Sequence, residues 1–232
     1  MRYRHYLTMM LDRKRKVPIC AMAEAATVMS CLAWNCQGLR GPWTVRQLET
    51  MIQEHKPALI FLSETRCKSQ SIDKCKRKWS MNGVNVDSRG KGGGLALLWI
   101  KEWKVSLQSF SNNHVDVHIE ESDCNKKWRF TGVYGEPEVK NRKFFFWSLL
   151  KSLKAKSPLP WICMGDFNEI MFDHEKEGLR VPQWRMVAFR HTLRECGLTD
   201  MGYEGSTYTW TNNRISPFTV KERLDRAYVS TD

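Results

Sequence analysis

The sequence predicts an α/β fold with many strands, some antiparallel, and helices covering the sheets. Three observations predict it. From Cys31 onward, short apolar runs and helix-period segments alternate without a linker. Val115, Val117 and Ile119 alternate with His114, Asp116, His118 and Glu120, a half-exposed strand with the polar residues on its solvent face, and Trp128–Tyr134 follows as an antiparallel neighbour. The chain has 232 residues, 42% hydrophobic and 27% charged. A domain of that length buries about 70–75% of its unfolded surface, so core size is not limiting.

The elements follow in order. Cys31–Asn35 reads as a strand ending in a turn at Gln37-Gly38. Pro42 suits a helix start, and Val45, Leu48, Met51 and Ile52 recur at helical spacing until Pro57. Ala58–Leu62 is a buried strand, and Lys68–Lys78 is a surface helix or a loop. Leu95–Ile100 is another buried strand. Asn141–Leu153 is a helix with one broad apolar face. Trp161–Met164 is a strand running into Gly165-Asp166-Phe167-Asn168. Trp184–Cys196 is helical, and Thr207–Thr211 and Glu222–Val229 are two final strands. Trp34, Trp99, Trp147 and Trp161 lie on apolar faces and read as core.

Residues 1–28 precede this pattern. We read them as a basic, disordered extension and residues 29–232 as the folded domain. The run Arg13-Lys14-Arg15-Lys16 also fits a nuclear-import signal. It does not head a secretory signal, because the apolar stretch behind it is short and broken by Pro18 and Glu24. Eight cysteines without a C-x-x-C read as reduced thiols in a nuclear or cytoplasmic setting, not a secreted one. No apolar run approaches the ~20 residues of a membrane span. A formal charge of +12 draws polyanions, nucleic acid first.

Polar residues interrupt the apolar strands at four places. Asn35 follows Ala33-Trp34, Glu64 follows Leu62-Ser63, Asp166 and Asn168 follow Cys163-Met164-Gly165, and Asp225 follows Arg223-Leu224. A carboxylate is costly to bury unpaired. Three of them, joined by an Asn at another strand end, suggest convergence on a cleft. Oxygen ligands without a Cys/His cluster favour magnesium over zinc, and a basic protein with such a metal points to phosphate chemistry. Taken singly, each has a plainer reading: Asp166 as an Asx turn, Glu64 as a helix N-terminal acid, Asp225 as a surface ion pair, Tyr134 as a strand aromatic, Asn35 as a cap.

In order, these segments resemble the endonuclease/exonuclease/phosphatase superfamily. The matching pieces are Trp34–Leu39, Leu62–Thr65, Gly92–Leu95, Val133–Gly135, Gly165–Glu169, Thr207–Trp210 and Arg223–Arg226. More narrowly, they resemble the apurinic-type endonuclease domain of plant LINE-type (non-LTR) retrotransposons. The resemblance implies a four-layer sandwich of two sheets covered by helices, acting on DNA with magnesium, or with manganese in its place, and with no small-molecule cofactor. It implies that Glu64 and Asn35 form the metal site. Asp166 and Asn168 would orient the attacking water, and Tyr134 would donate to the scissile phosphate. Asp225 would orient a catalytic histidine, and Thr209 and Trp210 would contact DNA.

Two positions depart from the pattern. Gln37 stands where many relatives outside the retroelements carry a metal-ligating Asp. All six histidines precede Asp225, so the superfamily's Ser-Asp-His motif and its last strand have no match. Two rivals therefore stand beside an impaired DNA endonuclease: a non-catalytic nucleic-acid-binding remnant, and a phosphoesterase acting on a small phosphoester or phosphoinositide. The charge makes one prediction at once. Fluorescence anisotropy with duplex DNA should show weak, sequence-independent binding that falls steeply with salt. Asp225→Asn should not weaken it; an affinity indifferent to salt would exclude an electrostatic origin.

Overall fold

A computed structural model describes residues 7–11, 29–90, 92–121 and 126–230. Its first sheet has five strands in the order β1-β2-β3-β5-β4. These are β1 (Leu7–Leu11), β2 (Met29–Asn35), β3 (Leu59–Ser63), β4 (Met81–Val86) and β5 (Leu95–Ile100). The second sheet has six strands in the order β11-β14-β9-β8-β7-β6. These are β6 (Trp103–Phe110), β7 (His114–Glu121), β8 (Lys127–Tyr134), β9 (Trp161–Asp166), β11 (Leu198–Asp200) and β14 (Asp225–Ser230). A small third sheet joins β10 (Lys176–Glu177), β13 (Lys221–Glu222) and β12 (Trp210–Thr211).

Strand parity builds the layers. Cys31, Ala33, Leu59 and Phe61 point inward and meet Val117, Phe130, Ile162 and Met164 of the second sheet. On the first sheet's other face, Leu32, Trp34, Ile60 and Leu62 pack on Leu48 and Met51 of α1 (Pro42–His55) and Ile72 of α2 (Ser69–Lys78). Outside the second sheet, Val133, Trp161 and Cys163 pack on Phe146, Trp147, Leu150, Leu153 and Phe189. Those side chains come from the π-helical Arg142–Trp147 and α4 (Ser148–Lys154), which run on from α3 (Val139–Asn141), and from α5 (Gln183–Glu195). The result is the expected mixed α/β arrangement: helix, sheet, sheet, helix. Trp34, Trp99, Trp147 and Trp161 are buried, as read from their strand and helix faces.

Helix ends follow local chemistry. Pro42 opens α1, and Lys56 closes it in a left-handed conformation, its N–H bonded to the Ile52 carbonyl. The segment left open as helix or loop is α2, with Lys76, Arg77 and Lys78 in its last turn, where the dipole favours cations. Leu7–Leu11 lies within the stretch read as an extension, yet pairs antiparallel with β2, Leu7 opposite Ala33. The basic run 13–16 lies outside the described residues. Glu222–Val229 is two strands rather than one, interrupted at Arg223-Leu224. No helix among the described residues is long and apolar enough to cross a membrane.

The strand β7 corrects one expectation. His114 and Asp116 are buried, not exposed. Arg129 makes the burial of Asp116 tolerable: its Nε and Nη2 donate to Oδ1 and Oδ2 at 2.8 and 2.9 Å. Thr131 donates to the same carboxylate at 2.6 Å, and Arg129 Nη1 reaches the Leu153 carbonyl at 2.6 Å. The guanidinium also stacks over Trp161, 4.9 Å from the ring centre. Burial pulls the His114 imidazole down to about 4. Its two nitrogens bond Ser109 and Ser111 instead.

Breaking a buried pair leaves an uncompensated charge. Arg129→Met should therefore lower unfolding free energy in urea by about 3–5 kcal/mol. The double variant Asp116→Leu/Arg129→Met should recover much of that loss. Equal losses in the two would deny that the ion pair is the reason.

Candidate active site

The polar strand ends meet at one edge of both sheets. Asn35 is the last residue of β2 and pairs in register with Ser63, the last of β3. Tyr134 is the last of β8 and pairs with Asp166, the last of β9. Asp225 begins β14 and lies directly opposite Asp166. These strand ends converge because parallel pairing aligns the C-terminal ends of β2 with β3 and of β8 with β9.

A hydrogen-bond network joins them across the sandwich. Asn35 Nδ2 donates to Glu64 Oε1 at 2.9 Å and to Asp166 Oδ2 at 3.0 Å. Tyr134 Oη donates to the same Glu64 oxygen at 3.0 Å. The Asn168 N–H donates to Asp166 Oδ1 at 2.8 Å, so the Asx turn read as the plainer alternative does form, and Asp166 serves both arrangements. Asn168 Nδ2 is tied to the Gly135 carbonyl at 2.7 Å. Thr209 Oγ1 accepts from the backbone N–H groups of Leu224 and Asp225, both at 3.0 Å. Trp210 stands apart from this network, half-buried against Ile170, Val181, Met186 and Leu224.

The backbone is unusual here. Gln37, Glu64, Arg66 and Asn168 all have positive φ, between 47° and 52°. Asn tolerates the left-handed region; Glu, Gln and Arg adopt it at a cost. Gly165 (φ 143°) is required outright, since a Cβ there would collide with the Val133 carbonyl oxygen.

Burial pushes the Asp166 carboxyl up, and the nearby Glu64 charge adds to it, against the hydrogen bonds from Asn35 and Asn168. Burial also pushes Asp225 well up, with the Asp166 charge adding to it. Tyr134 is raised by burial and then by the Glu64 and Asp166 charges, so its hydroxyl stays protonated and donates. Thr209 and the Arg226 charge act on Asp225 in the opposite sense, and more weakly than burial and Asp166.

Sequence reasoning missed two sets of residues. Glu169, buried, takes Arg142 Nη1 at 2.8 Å and Arg185 Nη2 at 3.0 Å, fixing the loop that carries Asn168. It stood in the Gly165–Glu169 run without a role. Arg66 Nη2 holds Glu64 Oε2 at 3.0 Å; its spacing of two from Glu64 was the available signal. Among the described residues, no three His, Cys, Asp or Glu side chains group to hold a metal. Magnesium needs less, one or two carboxylates with water completing its shell. Glu64 supplies a carboxylate, and Asn35 Oδ1 is buried without a hydrogen-bond partner among the described residues. That donor set fits a hard cation.

The sequence profile described as the Endonuclease/Exonuclease/phosphatase family matches residues 32–232. The chain belongs to this family. Solved structures agree in fold. The endonuclease domain of TRAS1, a telomere-specific non-LTR retrotransposon, is 18% identical with a TM-score of 0.66, covering 87% of this chain and 85% of that one. The AP endonuclease LMAP from Leishmania major is 17% identical with a TM-score of 0.69, covering 87% and 78%. A variant of the Neisseria 3′ phosphatase NExo, bound to product DNA hairpin, is 18% identical with a TM-score of 0.66, covering 88% and 87%. No curated protein matches the chain.

The family member's carboxylate pair makes a pH prediction. Asp225 has its pKa raised on folding, so its unfolded form loses a proton first as pH rises above 3.8, and stability falls with rising pH from there. Asp225→Asn removes that penalty. In urea denaturation, the variant should be more stable than the parent at pH 7, the gap closing as pH falls towards 3.8. A variant less stable at pH 7 would mean that Asp225 is paired with a cation.

Proposed function

We propose that this chain is a magnesium-dependent phosphodiesterase domain of retrotransposon type that cuts a DNA strand. The supporting observation is the Asn35 carboxamide, which bonds Glu64 just beyond β3 of one sheet and Asp166 at the end of β9 in the other. Glu64 and Asn35 Oδ1 are the groups that would hold magnesium or manganese. When bound, the cation supplies charge neutralisation at the phosphate oxygens. Asp166, its carboxyl raised by burial, accepts a proton from the attacking water, while Asn168 holds that water and the phosphoryl oxygens in line. Tyr134 keeps its proton and donates to a non-bridging oxygen. The water oxygen bonds phosphorus as the phosphorus–oxygen bond to one sugar breaks, and the departing sugar oxygen takes a proton from solvent to leave as a hydroxyl. DNA is favoured as substrate by the +12 charge.

One observation favours a second reading. The +12 charge attracts a phosphate backbone whether or not the strand is cut, which supports a nucleic-acid-binding protein without cleavage. A plasmid-nicking assay separates the two. Nicking should be slow, require magnesium, and drop about 10²–10⁴-fold in Asp166→Asn. Asn168→Ala should fall in the same direction. DNA binding that survives EDTA, with no nicking under any metal, would leave the binding reading alone.

A further inference from the structure

Glu64 is the one carboxylate of the metal-fitting pair, and both its oxygens are occupied. Oε1 takes Asn35 Nδ2 and Tyr134 Oη. Oε2 takes Arg66 Nη2 at 3.0 Å. The contact is built by the backbone. Glu64 and Arg66 both sit at φ 51°. Thr65 N–H donates to the Gly94 carbonyl at 3.0 Å, and Arg66 N–H donates to the Gly93 carbonyl at 2.9 Å. On the other side, a Cβ on Gly38 would lie 3.6 Å from Arg66 Cδ, so the arginine stem passes over the Gln37–Gly38 turn. The two partners differ in freedom: the Arg66 side chain is 44% exposed and that of Glu64 18%. The guanidinium can swing into solvent while the carboxylate stays.

We infer that Arg66 is a displaceable counter-ion of the metal site. It holds Glu64 Oε2 when no cation is bound, a divalent cation must displace it, and the freed guanidinium then faces the phosphodiester at the rim. An exchange of this kind links the two ligands: phosphate that captures Arg66 frees Glu64 for the metal, and the metal frees Arg66 for phosphate, by the same factor. The inference rests on the metal reading given above.

Isothermal titration of manganese into the DNA-free protein tests it, in the parent, Arg66→Gln, Arg66→Gly and Glu64→Gln. Glycine adopts φ 51° without cost and glutamine keeps the side-chain bulk, so a folding defect in one does not hide the result. Removing the Arg66 guanidinium removes both its competition for Glu64 Oε2 and its repulsion of the incoming cation. Both Arg66 variants should bind manganese about three- to tenfold more tightly, and Glu64→Gln should lose the site. Unchanged or weaker binding in the Arg66 variants, with Glu64→Gln still losing the site, would overturn the counter-ion role alone. No manganese binding by the parent or by either Arg66 variant would overturn this role and the metal reading together.

Discussion

A single carboxamide spans the two sheets at their polar edge. Asn35 Nδ2 spends both its protons on carboxylates, one from Glu64 beyond β3 and one from Asp166 at the end of β9. Two negative groups in a half-buried pocket repel each other and resist desolvation. A neutral double donor between them relieves both problems without adding a charge. A lysine there would form an ion pair and occupy the site electrostatically; a leucine would leave two carboxylates unpaired. The arrangement depends on strand parity, since Ala33 and Asn35 must share the inward face for the amide to reach across.

The second sheet adds its own requirements. Asp225 reaches the edge only because β14 runs antiparallel to β9 with Asp225 opposite Asp166. Its neighbours Arg223 and Arg226 turn away to two other acids, the buried Glu175 and the half-buried Asp200. Arg226 binds Glu175 and Asp200, and Arg223 binds the same two acids. Glu175 also accepts the N–H groups of Met171 and Phe172. One carboxylate thus ties the loop after Asn168 to the strand that carries Asp225. The R-L-D-R run is a structural anchor with its acid facing the opposite way.

Much of this was legible in the sequence because it follows period two. Polar residues at the ends of apolar strands marked Asn35, Glu64, Asp166 and Asp225, the family resemblance added Tyr134, and the structure brings these together. What sequence patterning missed depends on distant partners. Asp116 reads as exposed until Arg129 and the Leu153 carbonyl are placed beside it. β4 contains Asn82, Gly83 and Asn85, poor strand formers, and is a strand because β5 pairs with it. β6 carries a readable alternation of Trp103, Val105 and Leu107. Leu7–Leu11 has no period of its own, and only the edge of β2 makes it a strand.

The left-handed residues around the edge carry an evolutionary consequence. Gln37, Glu64 and Arg66 each occupy a conformation that glycine would adopt more cheaply. Selection for thermal tolerance alone would favour glycine at all three, and would remove the side chains that define the cleft. Stability and chemistry pull in opposite directions at these positions, while the β-core a few residues away is under no such conflict. A lineage released from the need for the reaction would lose the cleft first and keep the sandwich, leaving a well-folded protein with an ordinary backbone where these turns now stand.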